Sequence, residues 1–359
     1  MLDAVRRKVS NSERLNWDEG LFLLREAPLL DLAPLAQLVR WRHNPEPAVT
    51  FVIDTNLNYT NVCDAYCTFC AFYRTERDAD AYTHSVDEVM AMIGAAASKG
   101  VTTVLMQGGL NPSLPLSYYT ELVRESIQRY PQVHPHFFSA PEIMKMTQVS
   151  GLSIREVLAE LKQAGLQTIP GGGSEILSDR VKKLISRLPP KGKVSDWTEV
   201  HRQAHKLGLR TTATMMYGHL EEPEDVIGHL EYIRELQDDC PGFTAFIPWS
   251  YKRQNNPLGK RVKTEAGANK YLRTIAVSRL YLDNVQHIQA SWFSEGKKTG
   301  QIALHFGADD FGGTLFDENV MQEAGFYNRT TVDELIAMIW EAGFTPAQRT
   351  TLYEVVQRF

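Results

Sequence analysis

From about residue 49 onward the chain alternates short apolar, β-branched runs with longer stretches of helical period, and few architectures satisfy that alternation. Eight runs are predicted as strands: Val49 to Leu57, Val101 to Gly108, Val133 to Ser139, Leu166 to Pro170, Leu209 to Tyr217, Phe243 to Trp249, Val285 to Trp292 and Ile302 to Gly307. Between them the helices announce their starts. The capping boxes Ser85-Val-Asp-Glu88 and Ser153-Ile-Arg-Glu156 can satisfy orphan amides of a first turn, and Pro223 suits a first helical turn. Val226, Leu230 and Ile233 then share one face, the period needed to pack on a sheet. Eight such units without a flexible linker predict an α/β fold, a (β/α)8 TIM-type barrel over residues 46–315. A helical N-terminal extension, residues 1–45, and a helical C-terminal extension, residues 316–359, are expected to pack against it. The second is marked by the capping box Thr331-Val-Asp-Glu334 and by Thr345-Pro346 as a helix start.

A parallel barrel carries its chemistry on the loops that follow the C-terminal ends of its strands. The unusual residues fall there: a cysteine cluster after strand one, Gly108-Gly109 after two, Ser139-Ala-Pro-Glu142 after three and Pro170-Gly-Gly-Gly-Ser-Glu175 after four. Met215-Met-Tyr-Gly-His219, Pro248-Trp249, Ser291-Trp292 and Gly307-Ala-Asp-Asp310 follow the rest. One mouth is expected to gather them.

Three of the four cysteines lie within eight residues, as Cys63-Asp-Ala-Tyr-Cys67-Thr-Phe-Cys70. Cys67 and Cys70 are too close for an easy disulfide, and the distant Cys240 makes a poor framework, so metal or redox chemistry is the better reading. The C-x3-C-x2-C spacing can hold three irons of a cubane and leave the fourth without a protein ligand. A closed zinc site would want four ligands, and no second cysteine pair is present; a zinc- or iron-sulfur-binding module without catalysis is the competing class. The formal net charge of −5 and the pI near 6.1 give no case for nucleic acid or an anionic membrane, so a small-molecule partner is expected. No apolar run of signal-peptide or membrane-span length is present, and the cytoplasm is the expected location.

The cysteine loop, with Phe69 before its last cysteine, resembles the signature of the radical S-adenosylmethionine (radical SAM) superfamily. Cys63-Asp-Ala-Tyr-Cys67-Thr-Phe-Cys70-Ala-Phe-Tyr-Arg74, Ile169-Pro-Gly-Gly-Gly-Ser-Glu175, Thr211-Thr-Ala-Thr-Met-Met-Tyr-Gly-His219, Phe246-Ile-Pro-Trp249 and Phe306-Gly-Ala-Asp-Asp-Phe-Gly-Gly-Thr314 carry the likeness further. They resemble the subgroup that acts on futalosine derivatives in menaquinone synthesis and on deazaflavin precursors. Within it the resemblance is strongest to the dehypoxanthine futalosine cyclases, with the aminofutalosine synthases next. Asp309 departs from the asparagine common at that place in the family.

The resemblance implies a 4Fe-4S cluster on Cys63, Cys67 and Cys70, S-adenosylmethionine chelated at the open iron, and an electron donor such as flavodoxin or ferredoxin. It implies a 5′-deoxyadenosyl radical that takes hydrogen from C4′ of the substrate ribose, after which the carbon radical closes onto the benzoate ring. It places Phe69 near the adenine, simple packing being the alternative, and the Gly108-Gly109 pair at the methionine end of the cofactor, a plain turn being the alternative.

The remaining candidates are read from residue type and position. Glu175 could accept from the cofactor ribose or simply open a helix. Ser139 and Glu142 could meet cofactor or substrate, and Glu142 could equally cap a helix. His219 could bind substrate, shuttle a proton or be structural. Asp310 could orient substrate or take the final proton, an Asx turn being the alternative. Trp249 and Trp292 could wall an aromatic substrate or fill the core.

Overall fold

A bend at Ile53 divides the first strand into β1 (Ala48–Val52) and β2 (Asp54–Leu57), and the two halves serve different neighbours. The computed structural model describes residues 1–187 and 191–359. From β2 runs a parallel sheet in sequence order through β3 (Thr103–Met106), β4 (His134–Phe137), β5 (Thr168–Ile169), β6 (Arg210–Tyr217), β7 (Phe243–Ser250) and β8 (His287–Ile288). The ring closes through β9 (Asp310–Gly313), which pairs with β1 in the register Thr50↔Asp310 and meets the end of β8 in the bridge Gln289↔Asp310. Counting β1 and β2 as one stave, eight parallel staves form a TIM-type barrel.

The helices between strands form because their apolar residues recur at helical spacing. Val86–Ser98 buries Val89, Met90, Ile93 and Ala96 behind the capping box of Ser85 and Glu88. Ile154–Gln163 buries Val157, Leu158 and Leu161, and Pro223–Asp239 buries Val226, Ile227, Leu230 and Ile233. Each buried Val, Leu, Ile or Met among them stabilises the fold by about 1.5–3 kcal/mol relative to exposure. The N-terminal helices Leu2–Ser10, Trp17–Arg25 and Leu29–His43 add Val5, Val9, Leu23 and Leu32 to the same core. Buried Arg40 donates to the carbonyls of Asn44, Glu46 and Ala48 and so aims the chain into β1.

Two elements differ from expectation. Residues 302–307 are not the eighth strand; they end the helix Lys297–Ala303 and form the 3-10 turn Leu304–Phe306, stopped by Gly307 at φ +101°. A short apolar run carries no period that separates strand from helix. The eighth strand is instead Asp-Phe-Gly-Gly, turn-like in composition but extended because β1 and the end of β8 supply backbone partners on either side. Gly313 is required there, since a Cβ would stand 2.1 Å from Asp54 Oδ1.

The C-terminal extension is not wholly helical either. After the helix Val332–Glu341, Thr345-Pro346 begins β10 (Thr345–Arg349), which lies parallel to β1 and pairs antiparallel with β11 (Val355–Arg358). A Thr-Pro pair is compatible with a helix start, but no helical period follows, and the long-range partner β1 decides. The hairpin crosses the N-terminal end of the barrel. Thr351 Oγ1 meets Thr103 Oγ1 at 2.8 Å, and Tyr353 stacks on His287 with ring centroids 3.9 Å apart.

Candidate active site

The C-terminal ends of the staves open into one cavity of about 360 Å³, within the range of small-molecule sites. On one wall lies the cysteine loop. Its path is set by backbone bonds: Cys63 N–H donates to Arg74 O (2.9 Å), Thr68 N–H to Ile185 O (2.9 Å), and Leu258 N–H to Thr68 O (2.9 Å). The Arg74 guanidinium donates to the carbonyls of Ala71, Phe72 and Tyr73 and closes the loop after Cys70. Tyr66 turns the chain at φ +50°, a left-handed conformation that only surrounding structure sustains in a non-glycine residue.

Cys63, Cys67 and Cys70 are free thiols in one apolar cluster with Ala65, Leu110 and Phe69. Burial pushes the Cys67 thiol up to about 12, against the nearby Lys191, and raises Cys70 against the amides of Tyr73 and Phe72. Thiolates here need the charge of a metal. Among the described residues no three His, Cys, Asp or Glu side chains converge on one ion position, whereas a cubane asks for one thiolate per iron.

Gly109 explains how the next loop comes so close. A Cβ there would stand 2.1 Å from Val62 O, and its amide donates to Thr60 O at 2.9 Å, so the turn after β3 lies flush against the segment entering Cys63. At Gly108 a Cβ would meet the Tyr59 ring at 2.5 Å. We expect Gly109→Ala to displace Val62 and Cys63, costing about 1–3 kcal/mol of stability and lowering iron content after anaerobic reconstitution. A variant loading iron like the parent would show that the close approach does not matter.

Of the acids at the mouth, Glu175 has a free acceptor. Its Oε1 pairs with Lys191 Nζ at 2.8 Å, while buried Oε2, at a residue held in the left-handed region (φ +59°), has no hydrogen-bond partner among the described residues. Lys191 also lies 5.3 Å from the Phe69 ring centroid, so Phe69, Lys191 and Glu175 line one side of the cavity together. Glu142 is the opposite case. It accepts from Tyr59 OH (2.7 Å), Gly108 N–H (3.0 Å), and the Ser139 amide (2.7 Å) and hydroxyl (2.5 Å). Burial raises its carboxyl, but its acceptor capacity is spent on capping the helix Ala140–Ser150 and tying it to β3. Ser139 and Glu142 border the cavity as a joint, and the substrate contact expected of Glu142 is not what the geometry offers.

Three candidates lie away from the cavity. Asp310 begins its strand instead of following it, so it sits toward the barrel floor, wholly buried. There it is held by Arg349 Nε (2.5 Å) and Nη2 (3.1 Å), Thr50 Oγ1 (2.6 Å) and the Gly312 amide (2.8 Å). Such a carboxylate is an ion-pair strut, not a base. Burial keeps His219 neutral, and both ring nitrogens are used, Nε2–H on Met216 O and Nδ1 accepting from Leu220 N–H, so it clasps the loop after β6. Trp292 is 1% exposed and packs on Gly300, while its neighbour Phe293 and the half-buried Trp249 wall the cavity. Asp309 is likewise structural, bound by Arg279, His287 Nδ1 (2.5 Å) and the Ile288 amide (2.8 Å).

The cavity also holds residues that the sequence pattern did not single out. Glu318, beyond the true eighth strand, accepts from the Met321 amide at 2.9 Å, and burial pushes its carboxyl up to about 7. Asp54 is pushed up to about 6 by burial, but its Oδ1 accepts from the Leu315 amide and lies against Gly313. Lys252 lies two residues past the end of β7. The available signal was an acid or base just after a strand end, and misplacing strand eight hid Glu318.

Residues 57–233 match the radical SAM superfamily, and residues 240–358 match the CofH/MqnC C-terminal region. The chain is 38% identical over 358 residues to the cyclic dehypoxanthine futalosine synthase of Halalkalibacterium halodurans, covering 100% of this chain and 96% of that one. It is 37% identical to the aminodeoxyfutalosine synthase of Thermus thermophilus, with coverage of 98% and 95%. To the 5-amino-6-(D-ribitylamino)uracil--L-tyrosine 4-hydroxyphenyl transferase of Methanopyrus kandleri it is 42% identical, with coverage of 86% and 85%. Among solved structures, methylornithine synthase superposes with a TM-score of 0.73 at 17% identity, covering 96% of this chain and 97% of that one.

Proposed function

On the premise that this chain belongs to the radical SAM superfamily, we propose that it converts dehypoxanthine futalosine to cyclic dehypoxanthine futalosine in menaquinone biosynthesis. The observation that carries this reading is the 38% identity across the whole chain to a synthase of that product, over a cavity with three cysteines on its wall. The superfamily works with a 4Fe-4S cluster and S-adenosylmethionine, and the residues here fit both. Three free thiols on one apolar wall, Cys67 buried and Cys63 and Cys70 partly so, suit three irons, and the unpartnered Glu175 Oε2 suits a ribose hydroxyl. When bound and reduced, the cluster supplies the electron that cleaves S-adenosylmethionine to methionine and the 5′-deoxyadenosyl radical.

The rest falls to the chain itself. Lys191 holds Glu175 through Oε1 and leaves the buried Oε2 without a partner among the described residues, and Phe69 packs beside them. Trp249 and Phe293 exclude water and stray hydrogen donors from a reactive centre. After C4′ of the ribose joins the benzoate ring, one electron and one proton must leave to restore aromaticity; the electron would return to the cluster or to the carrier protein that reduces it, and Glu318 takes the proton. The electron that starts the reaction comes from a small carrier protein such as a flavodoxin or ferredoxin. No helix among the described residues is long and apolar enough to cross a membrane, and we place the enzyme in the cytoplasm.

Deuterium at C4′ of dehypoxanthine futalosine tests the reading. The label is expected in 5′-deoxyadenosine, with a cyclised product that has lost two hydrogens, because the radical must sit in contact with the hydrogen it takes. Label retained in the substrate, with turnover only of an enolpyruvyl benzoate, would replace the cyclase by an aminofutalosine synthase.

A further inference from the structure

Three cations among the described residues line the cavity, and two are already matched: Lys191 with Glu175 at 2.8 Å, and Arg349 with Asp310 at 2.5 Å. Lys252 is the third. It is 7% exposed, and among the described residues no carboxylate lies within 4.0 Å of its ammonium. Among the described residues its ammonium makes one hydrogen bond, to Ser250 Oγ at 3.0 Å, and the Phe326 ring centroid lies 4.2 Å away. Two of its three N–H donors therefore remain for a partner. Glu295 and Glu265 act on it only at longer range, and Glu295 is occupied by Tyr217 OH, the Ser250 amide and Ser294 Oγ. Leaving an ammonium out of water without a counter-ion is costly, and burial lowers its proton affinity accordingly. The main chain fixes the position: the Lys252 carbonyl accepts from Asn256 Nδ2 at 2.9 Å, so the segment after β7 folds back on itself.

We infer that Lys252 receives a carboxylate, and that in this cavity it is the aryl carboxylate of the substrate. The inference rests on the cyclase reading, whose substrate carries a benzoate; the methionine carboxylate of the cofactor is the other source of the same chemistry. Trp249 and Phe293 line the same cavity, so an aromatic ring lodged between such walls could present its carboxylate to the ammonium. Lys252 would then set which end of the substrate enters, and reject analogues that lack the anion.

The test uses the reconstituted holoenzyme, wild type and Lys252→Met, with dehypoxanthine futalosine and with the analogue bearing hydrogen in place of the ring carboxylate. Loss of a charge-assisted contact is expected to raise KM for the natural substrate by about 10–100-fold in Lys252→Met, and by far less in Lys252→Arg. Wild type should prefer the carboxylated substrate by a similar factor, and the methionine variant should discriminate between the two by no more than about threefold. Iron content confirms that the variant folds; should it load no iron, Lys252→Gln, which keeps a polar tip beside Ser250, takes its place. Discrimination as strong as wild type overturns the inference. So does a rise in KM confined to S-adenosylmethionine, which assigns Lys252 to the cofactor. A wild type that turns over neither compound, but does turn over an enolpyruvyl benzoate, removes the cyclase reading and this inference with it.

Discussion

Alanine at Cys67 should abolish both iron loading and turnover. The thiol is 6% exposed and clusters with Ala65 and Leu110, whose apolar side chains cannot take over its bond to iron. Losing one of three thiolates unseats the whole cluster, and the same is expected at Cys63 and Cys70. The effect should be specific to the site. The loop is tied down by the Thr68–Ile185, Leu258–Thr68 and Cys63–Arg74 backbone bonds and by the Arg74 guanidinium, none of which involves a thiol. The variant should therefore keep its far-UV circular dichroism while iron and sulfide fall to background, and product formation should drop by more than about a thousandfold, the scale set by losing a reaction's only initiating group. Cys240→Ala is the control: its Sγ lies 3.9 Å from Arg202 O at the end of the helix Pro223–Asp239, and full iron loading is expected. Full cluster content in Cys67→Ala would refute the assignment.

The parts of this molecule legible in its sequence are those where local pattern and tertiary pairing agree. The helix Val86–Ser98 forms where its capping box and its Val89–Met90–Ile93 stripe say the same thing, and the apolar run Ala48–Val52 marks the strand whose continuation, Asp54–Leu57, leads into the cysteine loop. The eighth stave failed on that count. Ile302–Gly307 has strand-like composition but ends a helix, while Asp310–Gly313 has turn-like composition but is extended by partners about 20 and 260 residues away. That displacement moved the expected site with it, making Asp310 look like a mouth residue when it anchors Arg349 near the floor. The C-terminal hairpin was hidden in the same way, since only β1 explains β10. His219 and Glu142 were positioned correctly along the chain, but what decides their roles is how many of their hydrogen-bonding atoms are already engaged, which no spacing encodes.

Glu318 is the acid that the corrected strand brings into play, and its replacement should have the second large effect. Its carboxyl lines the cavity, is pushed up to about 7 by burial, and is held by the Met321 amide with no cation pairing it among the described residues. A base with that affinity can take the ring proton near neutrality, when Asp310 and Glu142 are committed to other partners. Glu318→Gln is expected to lower the rate of cyclised product formation by about 100–1000-fold, and 5′-deoxyadenosine should form in excess over product because hydrogen transfer precedes proton loss. In the wild type kcat should rise with pH through about 7 and level above it, as the carboxylate form accumulates; the glutamine variant should lose that rise. Stability should move the other way. A carboxyl raised from 4.5 to about 7 on folding binds its proton more tightly in the native state, so its contribution is full below pH 4.5 and is lost as pH climbs through about 7. Glutamine cannot ionise, so Glu318→Gln should gain on the order of 2 kcal/mol relative to wild type between pH 5 and pH 8 in denaturant titrations. Unchanged kcat together with an unchanged pH profile would remove Glu318 from the reaction and leave the proton to Asp54, whose carboxyl burial also raises and which lines the same cavity.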